Sequence, residues 1–495
     1  MKTSIAISFI ALFSMLILNS FASNVDLESA SKVASHKIQT LHCEKEFQVK
    51  TVEIYRDEDG KDLFYAFQLV PVGYIMVAAD IKLPPVIAYS FTNDFRTSDQ
   101  NNILIEFIKA DIINRLDYAE LISPEIRKKG AEEWKKILES DLDSDARLFE
   151  QWPPEGTTVT GGWLETNWTQ NAPYNNFCPM DPVTNQRSIA GCPAVAMAQI
   201  INYYKTINET EFSDADDYYH SYSGRNYWID DDFEAIDFPS FPELNVYMDT
   251  LAECYANQVP LKTNEKAALN FACGVAAKQV YTSSISGTYG VNQAYNAFLR
   301  FGFSEAVLMD DTDTTLYTVL AHHMMEARPV HLAVVDPAWS MGHNLVIDGY
   351  NTDEYFHLNF GWGGAYNGWY LLPEEIPYGL TVVEGVIVDI AYPPVYTGAK
   401  PTEFNHQSPI RISPNPASSF VNIDLDLIEI HPLLLNIFDS KGKLILSRNL
   451  NNLHKEVSEI RLDLTSSNVS IWSPGLYFCE VIAGDHRFSA KFIVQ

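Results

Sequence analysis

Positive charge is scarce in this sequence. Its 495 residues include 34 lysines and arginines against 64 aspartates and glutamates, which gives a formal net charge of -30 at pH 7. An acidic surface of this kind repels phosphate backbones and anionic lipid headgroups, because like charges repel as the partners approach. The composition therefore argues against nucleic-acid and membrane-surface partners, and ordinary solubility is the simplest consequence of the charge.

Cysteine is rare as well. The chain has six: Cys43, Cys178, Cys192, Cys254, Cys273 and Cys479. Their wide spacing is not that of the dense disulfide framework of a small stapled domain, and no pair has the spacing of metal ligands. Cys254 and Cys273 could form one bridge, but two buried thiols are at least as compatible with the sequence. We expect no metal and no cofactor.

Long hydrophobic runs are absent after the N-terminus, so no membrane span is expected in the mature form. Residues 1–23 differ from the rest: Lys2 precedes an apolar stretch from Ile5 to Leu18, and small residues follow around Ala22. This order of charge, apolar stretch and small residues is typical of a signal peptide for export. We therefore expect a secreted protein.

The length suggests about three domains, and shifts in composition predict where they divide. Hydrophobic residues make up 46% of the chain and aromatic residues 13%, which is enough for well-packed cores. No internal repeat is present. The predicted parts are a signal peptide at 1–23, an α+β unit at 24–150, a central domain at 151–397, a linker at 398–410 and a C-terminal domain at 411–495.

Alternating and helical hydrophobic patterns predict the elements of these parts. In the N-terminal unit we expect a hairpin of strands 51–55 and 63–69, a strand at 73–79, helices at 103–122 and 124–138, and an acidic linker at 139–145. In the central domain we expect helices between 241 and 300 and an antiparallel meander of strands 329–335, 342–350, 355–360 and 368–372. Short strands from 420 onward predict a small β-sandwich. The acidic stretch 214–237 lacks a calcium-loop pattern and is interpreted as a solvated loop.

Cys192 stands at the start of a predicted helix. Pro193 suits the first helical position, and Ala196, Met197 and Ile200 continue one buried face. Unpaired N–H groups at a helix start favour a thiolate, and Gly191 keeps side-chain bulk away from an approaching substrate backbone. A lone cysteine is more often a small buried apolar residue, so this segment needs partners before it indicates catalysis.

The rest of the chain supplies those partners. Cysteine proteolysis needs an imidazole to pair with the thiolate, a group that orients the imidazole, and a donor for the oxyanion. His343 follows Cys192 by about 150 residues, a spacing similar to that in papain-like enzymes. Asn359 on the next strand is expected to accept a hydrogen bond from the His343 ring, with Trp362 covering that bond, and Gln170 is the expected oxyanion donor.

Other side chains compete for these roles. His322, His323, His331 and His357 lie in the same region, and histidines of this kind are more often structural. His343 is preferred because the small residue Gly342 precedes it and because its strand neighbours that of Asn359. Asp348 could orient a histidine instead, but five residues along one strand separate it from His343 by roughly 16 Å.

These motifs together resemble the streptopain family of papain-like cysteine peptidases. The matching segments are Gln170 with Pro173-Tyr174-Asn175, the run from Gly191 to Ile200, and Gly342-His343 with the turn from Asn359 to Gly364. The resemblance implies a two-lobed papain-like fold, α+β in class, and gives Cys192, His343, Asn359 and Gln170 the roles stated above. The family usually has tryptophan where this chain has Phe360.

The resemblance extends to both flanks. Residues 64–90 are similar to the inhibitory propeptide of the family, which implies a zymogen whose own propeptide is its inhibitor. The segment from Ser413, with its Pro-Asn-Pro start and late Gly-Leu-Tyr, resembles the sorting domain of type IX secretion. It implies a partner in the secretion machinery, and export through the periplasm to the medium or the bacterial cell surface.

Two other functions remain open at this point. A transglutaminase-like acyl transferase would use the same thiolate and imidazole with an amine acceptor, although it would normally place Asp at Asn359. A catalytically silent adhesin or inhibitor could share the scaffold, but the complete set of four catalytic side chains argues against that alternative. The sequence therefore favours a secreted cysteine endopeptidase that acts on protein or peptide substrates.

Overall fold

The computed structural model describes residues 24–41, 47–95, 103–118, 124–139, 149–310, 312, 313, 315–336, 339, 341–372, 382–391, 410–414, 417–425, 433–439, 444–449, 459–464, 472, 475–483 and 486–494. The signal peptide, Cys43 and nearly all of the two predicted linkers lie outside these residues. The helices are α1 (Leu27–Leu41), α2 (Ile103–Tyr118), α3 (Pro124–Glu139), α4 (Cys192–Tyr204), α5 (Phe233–Ile236), α6 (Phe241–Ala256), α7 (Thr263–Ala276), α8 (Val291–Arg300) and α9 (Leu316–Met325). The strands up to the tail are β1 (Gln48–Arg56), β2 (Asp62–Val70), β3 (Tyr74–Ala78), β4 (Val86–Ser90), β5 (Gln151–Trp152), β6 (Tyr218–Tyr222), β7 (Arg225–Ile229), β8 (Val307–Met309), β9 (Val330–Val335), β10 (Gly342–Asn351), β11 (Tyr355–Asn359), β12 (Gly368–Leu371) and β13 (Val382–Val388).

A long antiparallel sheet runs through the N-terminal unit and the central domain. Its strand order is β1-β2-β3-β4-β12-β11-β10-β9-β13-β8, and β5 pairs with β10 beside this path. The predicted hairpin of β1 and β2 and the meander from β9 to β12 are confirmed. The continuation from β4 into β12 is a finding that the sequence did not predict.

The junction of the two units is a strand pair rather than a loose contact. Tyr89 on β4 lies opposite Trp369 on β12, and the Tyr74 hydroxyl donates to the carbonyl of Tyr366 at 2.8 Å. A Cβ added at Gly368 would come within 2.5 Å of the Tyr74 hydroxyl and 2.7 Å of the Tyr89 carbonyl oxygen. Glycine is therefore required on β12 for the N-terminal unit to approach so closely.

Two hydrophobic cores cover the two faces of the sheet, and the side chains of β10 alternate between them. Leu345 and Ile347 belong to the core that contains the N-terminal helices and strands. Val346 belongs to the core that contains α4, α6, α7 and α8. Because successive strand residues point to opposite faces, neighbouring residues of β10 meet different halves of the molecule.

The acidic stretch is more ordered than predicted. It holds a 3-10 turn at Asp214–Asp216 and the hairpin of β6 and β7, so its interpretation as a solvated loop is wrong. The hairpin buries alternate residues such as His220 and Tyr227. The buried Arg225 guanidinium also donates to both carboxylate oxygens of Asp181 at 2.8 Å. This period-two burial is hidden in the sequence by the surrounding aspartates.

The C-terminal segment has its own core between two sheets, as the sequence predicts. The strands are β14 (Ile410–Ser413), β15 (Phe420–Leu425), β16 (Leu433–Asp439), β17 (Leu444–Asn449), β18 (Glu459–Asp463), β19 (Gly475–Ala483) and β20 (His486–Val494). One sheet has the order β14-β15-β18 and the other the order β17-β16-β19-β20. Val421, Leu435 and Phe492 are among the residues buried between them.

The described residues contain no transmembrane helix, no disulfide and no metal-binding cluster. No helix there has the length and apolar character needed to cross a bilayer. The described cysteines, Cys178, Cys192, Cys254, Cys273 and Cys479, are free thiols, so the possible bridge between Cys254 and Cys273 is absent. The described part of the chain also holds no group of three or more histidine, cysteine or acidic side chains that could bind a metal ion.

Candidate active site

Cys192 is the first residue of α4, as predicted, and the residue before it has a positive φ. Gly191 has φ 85°, a left-handed conformation that L side chains rarely adopt, and Pro193 occupies the first turn. A Cβ at residue 191 would lie 2.8 Å from the Gln279 side-chain oxygen and 3.1 Å from the Ser286 carbonyl oxygen. Gly191 is therefore required by the protein interior, whereas the sequence analysis assigned its small size to substrate access.

Burial and the neighbouring Asn344 act in opposite directions on the pKa of the Cys192 thiol. Burial raises the pKa of Cys192 to about 11, and Asn344 offsets only part of that rise. The sulfur is consequently a neutral thiol near pH 7 in this structure.

The segment with Gln170 is tied to the residues just before Cys192. The Ala190 N–H donates to the Gln170 carbonyl oxygen at 2.8 Å, and the Asn175 side chain donates to the Ser188 carbonyl oxygen at 2.9 Å. These bonds place the Gln170 loop beside the start of α4, where the predicted oxyanion donor is needed. Its half-buried side chain keeps partial access to solvent.

His343 is the second residue of β10, and its ring lies on the face turned toward the N-terminal unit. It lines a small apolar cavity together with Leu104, Phe107, Leu332, Val334, Leu345, Leu358 and Phe360. Leu104 and Phe107 belong to α2 and are buried there. The His343 Nε2 atom lies 2.9 Å from the carbonyl oxygen of Phe360.

Trp362 stacks on the His343 ring, although the hydrogen bond to Asn359 that it was expected to cover is not formed. The two rings stack with centroids 4.4 Å apart, and Phe360 stacks on His343 with a centroid separation of 6.2 Å. Phe360 thus keeps the aromatic contact at this position. Gly342, next to His343, packs close to the Val334 carbonyl oxygen, because a Cβ there would approach it to 3.3 Å.

Burial also sets the charge of His343. It lowers the pKa of the imidazole to about 4, and the nearby His331 acts in the same direction, while the hydrogen bond to Phe360 opposes both. The ring is neutral at pH 7. The structure therefore holds a neutral thiol and a neutral imidazole in separate environments, and no thiolate–imidazolium pair is formed.

Asn359 is occupied by other partners. Its side-chain N–H2 donates to the Thr166 carbonyl oxygen at 2.9 Å, and its side-chain oxygen accepts from the Gln199 side chain at 3.3 Å and from the Gly361 N–H at 3.1 Å. The predicted hydrogen bond between His343 and Asn359 is therefore not formed, because His343 bonds the backbone one residue further on. Gln199, buried on α4, was missed by the sequence analysis although it is the one long polar side chain on that helix face.

The competing side chains have partners of their own. Asp348 accepts from His357 Nδ1 at 2.6 Å, both side chains being buried, so Asp348 does not orient His343. His323 lies 3.1 Å from Asp389, and His331 Nε2 lies 2.7 Å from the Asn344 side-chain oxygen. These histidines make structural contacts in the protein interior, as the sequence analysis expected.

Comparison with known families divides the chain into three matched segments. Residues 168–370 match the Peptidase C10 family, which is the streptopain family. Residues 22–111 match the Spi protease inhibitor family. Residues 411–495 match a secretion system C-terminal sorting domain.

Two curated relatives share the central part. The thiol protease/hemagglutinin PrtT of Porphyromonas gingivalis is 26% identical over 321 residues, which is 60% of this chain and 32% of PrtT. The chain thus spans about a third of the length of PrtT. Streptopain of Streptococcus pyogenes is 23% identical over 359 residues, which is 68% of this chain and 80% of streptopain.

Two solved structures are similar to the chain. A fragment of prointerpain A from Prevotella intermedia has a TM-score of 0.47 at 20% identity and covers 71% of this chain and 99% of the fragment. Active interpain A from the same organism has a TM-score of 0.35 at 25% identity and covers 47% of this chain and 94% of interpain A.

Proposed function

We propose that the chain is a secreted cysteine peptidase of the streptopain family, made as a zymogen, and that Cys192 is its nucleophile. His343 is the general acid and base, Asn359 orients it after activation, and Gln170 with the Cys192 N–H binds the oxyanion. Trp362, Gly191 and Gly342 support these groups. Its substrates are proteins or peptides, which it cleaves at internal peptide bonds.

The reaction follows from these roles. The Cys192 thiolate attacks the peptide carbonyl, and the His343 imidazolium then protonates the leaving amine, which leaves an acyl group on the sulfur as a thioester. A water molecule gives its proton to His343 and attacks the thioester, releasing the new carboxyl terminus. His343 returns as the imidazolium and Cys192 as the thiolate, so the pair is regenerated.

Residues 24–150 hold this pair apart in the zymogen. The observation that best supports this proposal is that α2 lines the cavity that holds the His343 ring, whose Nε2 atom lies 2.9 Å from the Phe360 carbonyl oxygen. Loss of α2 opens the cavity to water, which removes the apolar contacts that keep the ring there. His343 can then turn toward Cys192.

The remaining parts serve export. The division into 1–23, 24–150, 151–397, 398–410 and 411–495 is part of this proposal, and the three matched family segments fall in or near its propeptide, peptidase and tail. The tail engages the secretion machinery after passage through the periplasm and delivers the peptidase to the medium or the bacterial cell surface. The separate hydrophobic core of the tail supports its treatment as an independent domain.

The test combines one label and one substrate. Processed protein is incubated with a thiol-reactive peptidyl epoxide, and casein is supplied with and without an amine donor. We expect epoxide on Cys192 and casein hydrolysis without amine incorporation, and a Cys192→Ala chain that is neither labelled nor self-processed. Amine incorporation would instead indicate acyl transfer, and neither labelling nor hydrolysis would indicate a silent scaffold.

A further inference from the structure

A lysine lies on the buried face of α1, the helix that packs against α3 and β3. Ala30, Val33, Ala34 and Lys37 recur at helical spacing, and all four are buried. Lys37 has only 8% of its surface exposed. A lysine in such a position needs partners, because an ammonium group loses its hydration when it is buried.

The partners of Lys37 come from both sides of the junction between the N-terminal unit and the central domain. Its Nζ atom lies 3.4 Å from the carboxylate of Asp353, in the turn between β10 and β11. The same atom lies 4.3 Å from the centre of the Tyr89 ring on β4 and 4.8 Å from the centre of the Tyr355 ring on β11. Both distances allow a cation–π interaction. A charge on α1 is therefore held partly by groups of the central domain.

The central domain fixes its side of this contact with its own hydrogen bonds. The Asn351 side-chain oxygen accepts from the N–H groups of Asp353 at 3.0 Å and Tyr355 at 3.2 Å. Its side-chain nitrogen donates to the Tyr89 hydroxyl at 2.9 Å, and the Tyr355 hydroxyl donates to the Val86 carbonyl oxygen at 2.6 Å. We call Asn351, Asp353 and Tyr355 the lysine site. It binds α1 through the lysine and β4 through a tyrosine and a backbone carbonyl.

The two charges of the pair are buried to different extents. The Lys37 side chain is 10% exposed and that of Asp353 is 33% exposed. Removal of the carboxylate leaves an enclosed ammonium group without a counter-charge, whereas removal of the lysine leaves a carboxylate that water still reaches. A buried ion pair adds little net stability compared with an apolar pair, but the loss of one partner is costly. The pair therefore makes docking depend on a matching charge.

We propose that the lysine site is the surface by which the peptidase recognises its own propeptide, and that Lys37 is the residue that the site selects. This inference rests on the proposed role of residues 24–150 as the propeptide. The pairing of β4 with β12 cannot supply this selection, because backbone hydrogen bonds carry little sequence information and side-chain pockets give specificity. A helix with a cation at this position docks, and one with an acidic residue there meets the Asp353 carboxylate with a like charge.

The experiment measures opening of the junction in the full-length protein and needs no peptidase activity. Hydrogen exchange is followed by mass spectrometry in Cys192→Ala chains, in the peptides that cover β4 and β12, which separate when the propeptide dissociates. Peptides of α7, which belongs to the opposite core, report global unfolding. The variants are Lys37→Met, Asp353→Asn and the double substitution. Lys32→Met is the matched control, because Lys32 is an exposed lysine of the same helix, paired with Glu28.

We expect Asp353→Asn to speed exchange at the junction about a hundredfold, because it leaves a buried ammonium group uncompensated. Lys37→Met should speed exchange by no more than about tenfold, since methionine fills the same space and the carboxylate stays partly hydrated. The double variant should match Lys37→Met, because Asp353→Asn removes no ion pair once the ammonium group is gone. Lys32→Met should leave the junction unchanged, and exchange in α7 should be the same in all chains.

Folding of each variant is checked by circular dichroism. An Asp353→Asn chain that does not fold, beside a double variant that does, would support the same coupling between the two charges. Lys37→Gln replaces Lys37→Met if the methionine chain does not fold.

Three results would overturn the inference. The first is an Asp353→Asn chain that exchanges no faster than Lys37→Met, and the second is a double variant in which the two effects add. The third is an equal acceleration in α7, which would show that the pair serves the fold as a whole. Failure of the proposed function is a different result: the expected order of exchange rates at the junction, but a parent chain with Cys192 intact that never processes itself or hydrolyses casein.

Discussion

At the scale of single residues, the position of Cys192, the proposed nucleophile, depends on the backbone conformation of Gly191. The positive φ there turns the chain into α4 so that Cys192 becomes the first helical residue, and Gln279 and Ser286 close the space where a side chain would stand. The Gln279 side chain also donates to the Ala190 carbonyl oxygen at 2.7 Å. Contacts of Gln279 and Ser286 with residues 190 and 191 therefore fix the position of the sulfur.

We predict that Gly191→Ala destabilises the chain by about 2–4 kcal/mol, because backbone strain and a steric overlap add. The measurement is urea unfolding in a Cys192→Ala background, which prevents self-processing. Gly363→Ala is the matched control: its φ is 69°, but a Cβ there meets no atom within 4 Å, so only the backbone strain of about 1–2 kcal/mol applies. Equal effects of the two substitutions would contradict the role of Gln279.

A second prediction at this scale concerns the charge of His343. Its pKa is about 4 when folded, below the usual 6.5 of an unfolded chain. The unfolded chain therefore takes up a proton first as the pH falls, so this contribution to stability is complete above pH 6.5 and is lost between pH 6.5 and pH 4. In a Cys192→Ala background, His343→Leu should remove that loss, and the two unfolding free energies should diverge by up to about 3 kcal/mol at pH 4.

Urea unfolding at several pH values measures this divergence. His322, whose pKa burial also lowers to about 4, remains in both chains, so its contribution cancels in the difference. Parallel curves for the two chains would contradict the assignment of a neutral, buried His343.

At the scale of elements, the pairing of β4 with β12 joins the propeptide to the peptidase. Gly368 on β12 meets three atoms of the propeptide, from Tyr74, Tyr89 and Ser90. The contact exists only while the propeptide is present. A larger residue at position 368 therefore disturbs the junction with the propeptide but has no such clash in the processed enzyme.

We predict that Gly368→Ala weakens propeptide binding by about 1–3 kcal/mol, the usual cost of forcing extra volume into a packed site. The full-length variant should process itself faster than the parent chain. Once processed, its kcat/KM on casein should equal that of the processed parent, which makes the mature variant its own control. An equal fall of kcat/KM in the processed form would show that Gly368 serves the peptidase itself.

The elements also show what the sequence can predict and what it cannot. The start of α4 and the meander from β9 to β12 follow from local signals, because Pro193, helical spacing and alternating strands act over a few residues. The direction of the His343 ring does not follow from local signals, because it depends on contacts with α2, which lies more than two hundred residues earlier in the chain. The hydrogen bonds from Asn359 to Thr166 and Gln199 likewise join distant segments, and nothing in the sequence of one segment predicts its contact with the other.

At the scale of the whole molecule, the tail folds around a core of its own. Its described contacts with the peptidase include a ring stack between Phe478 and His322 on α9, with centroids 4.5 Å apart. A single aromatic contact contributes about 0.5–1.5 kcal/mol, far less than a domain core. We therefore expect the peptidase and its propeptide to stay folded without the tail.

We predict that deletion of residues 411–495 from the Cys192→Ala chain removes one transition from a calorimetric scan and lowers the Tm of the remaining transition by no more than a few degrees. Cells that export the full-length chain should retain the truncated chain. Loss of the peptidase transition itself would show that the tail is part of the catalytic fold.

The continuous sheet has one more consequence, for the order of events after secretion. A cut in the linker breaks the covalent tether but leaves every β4–β12 hydrogen bond in place, so the severed propeptide becomes a reversible ligand of the enzyme that made it. Its occupancy then obeys mass action, and the effective concentration supplied by the tether is gone. Dilution after secretion lets the cleaved propeptide dissociate, which completes activation. An enzyme kept at high concentration or in a confined space therefore stays inhibited for longer than a diluted one.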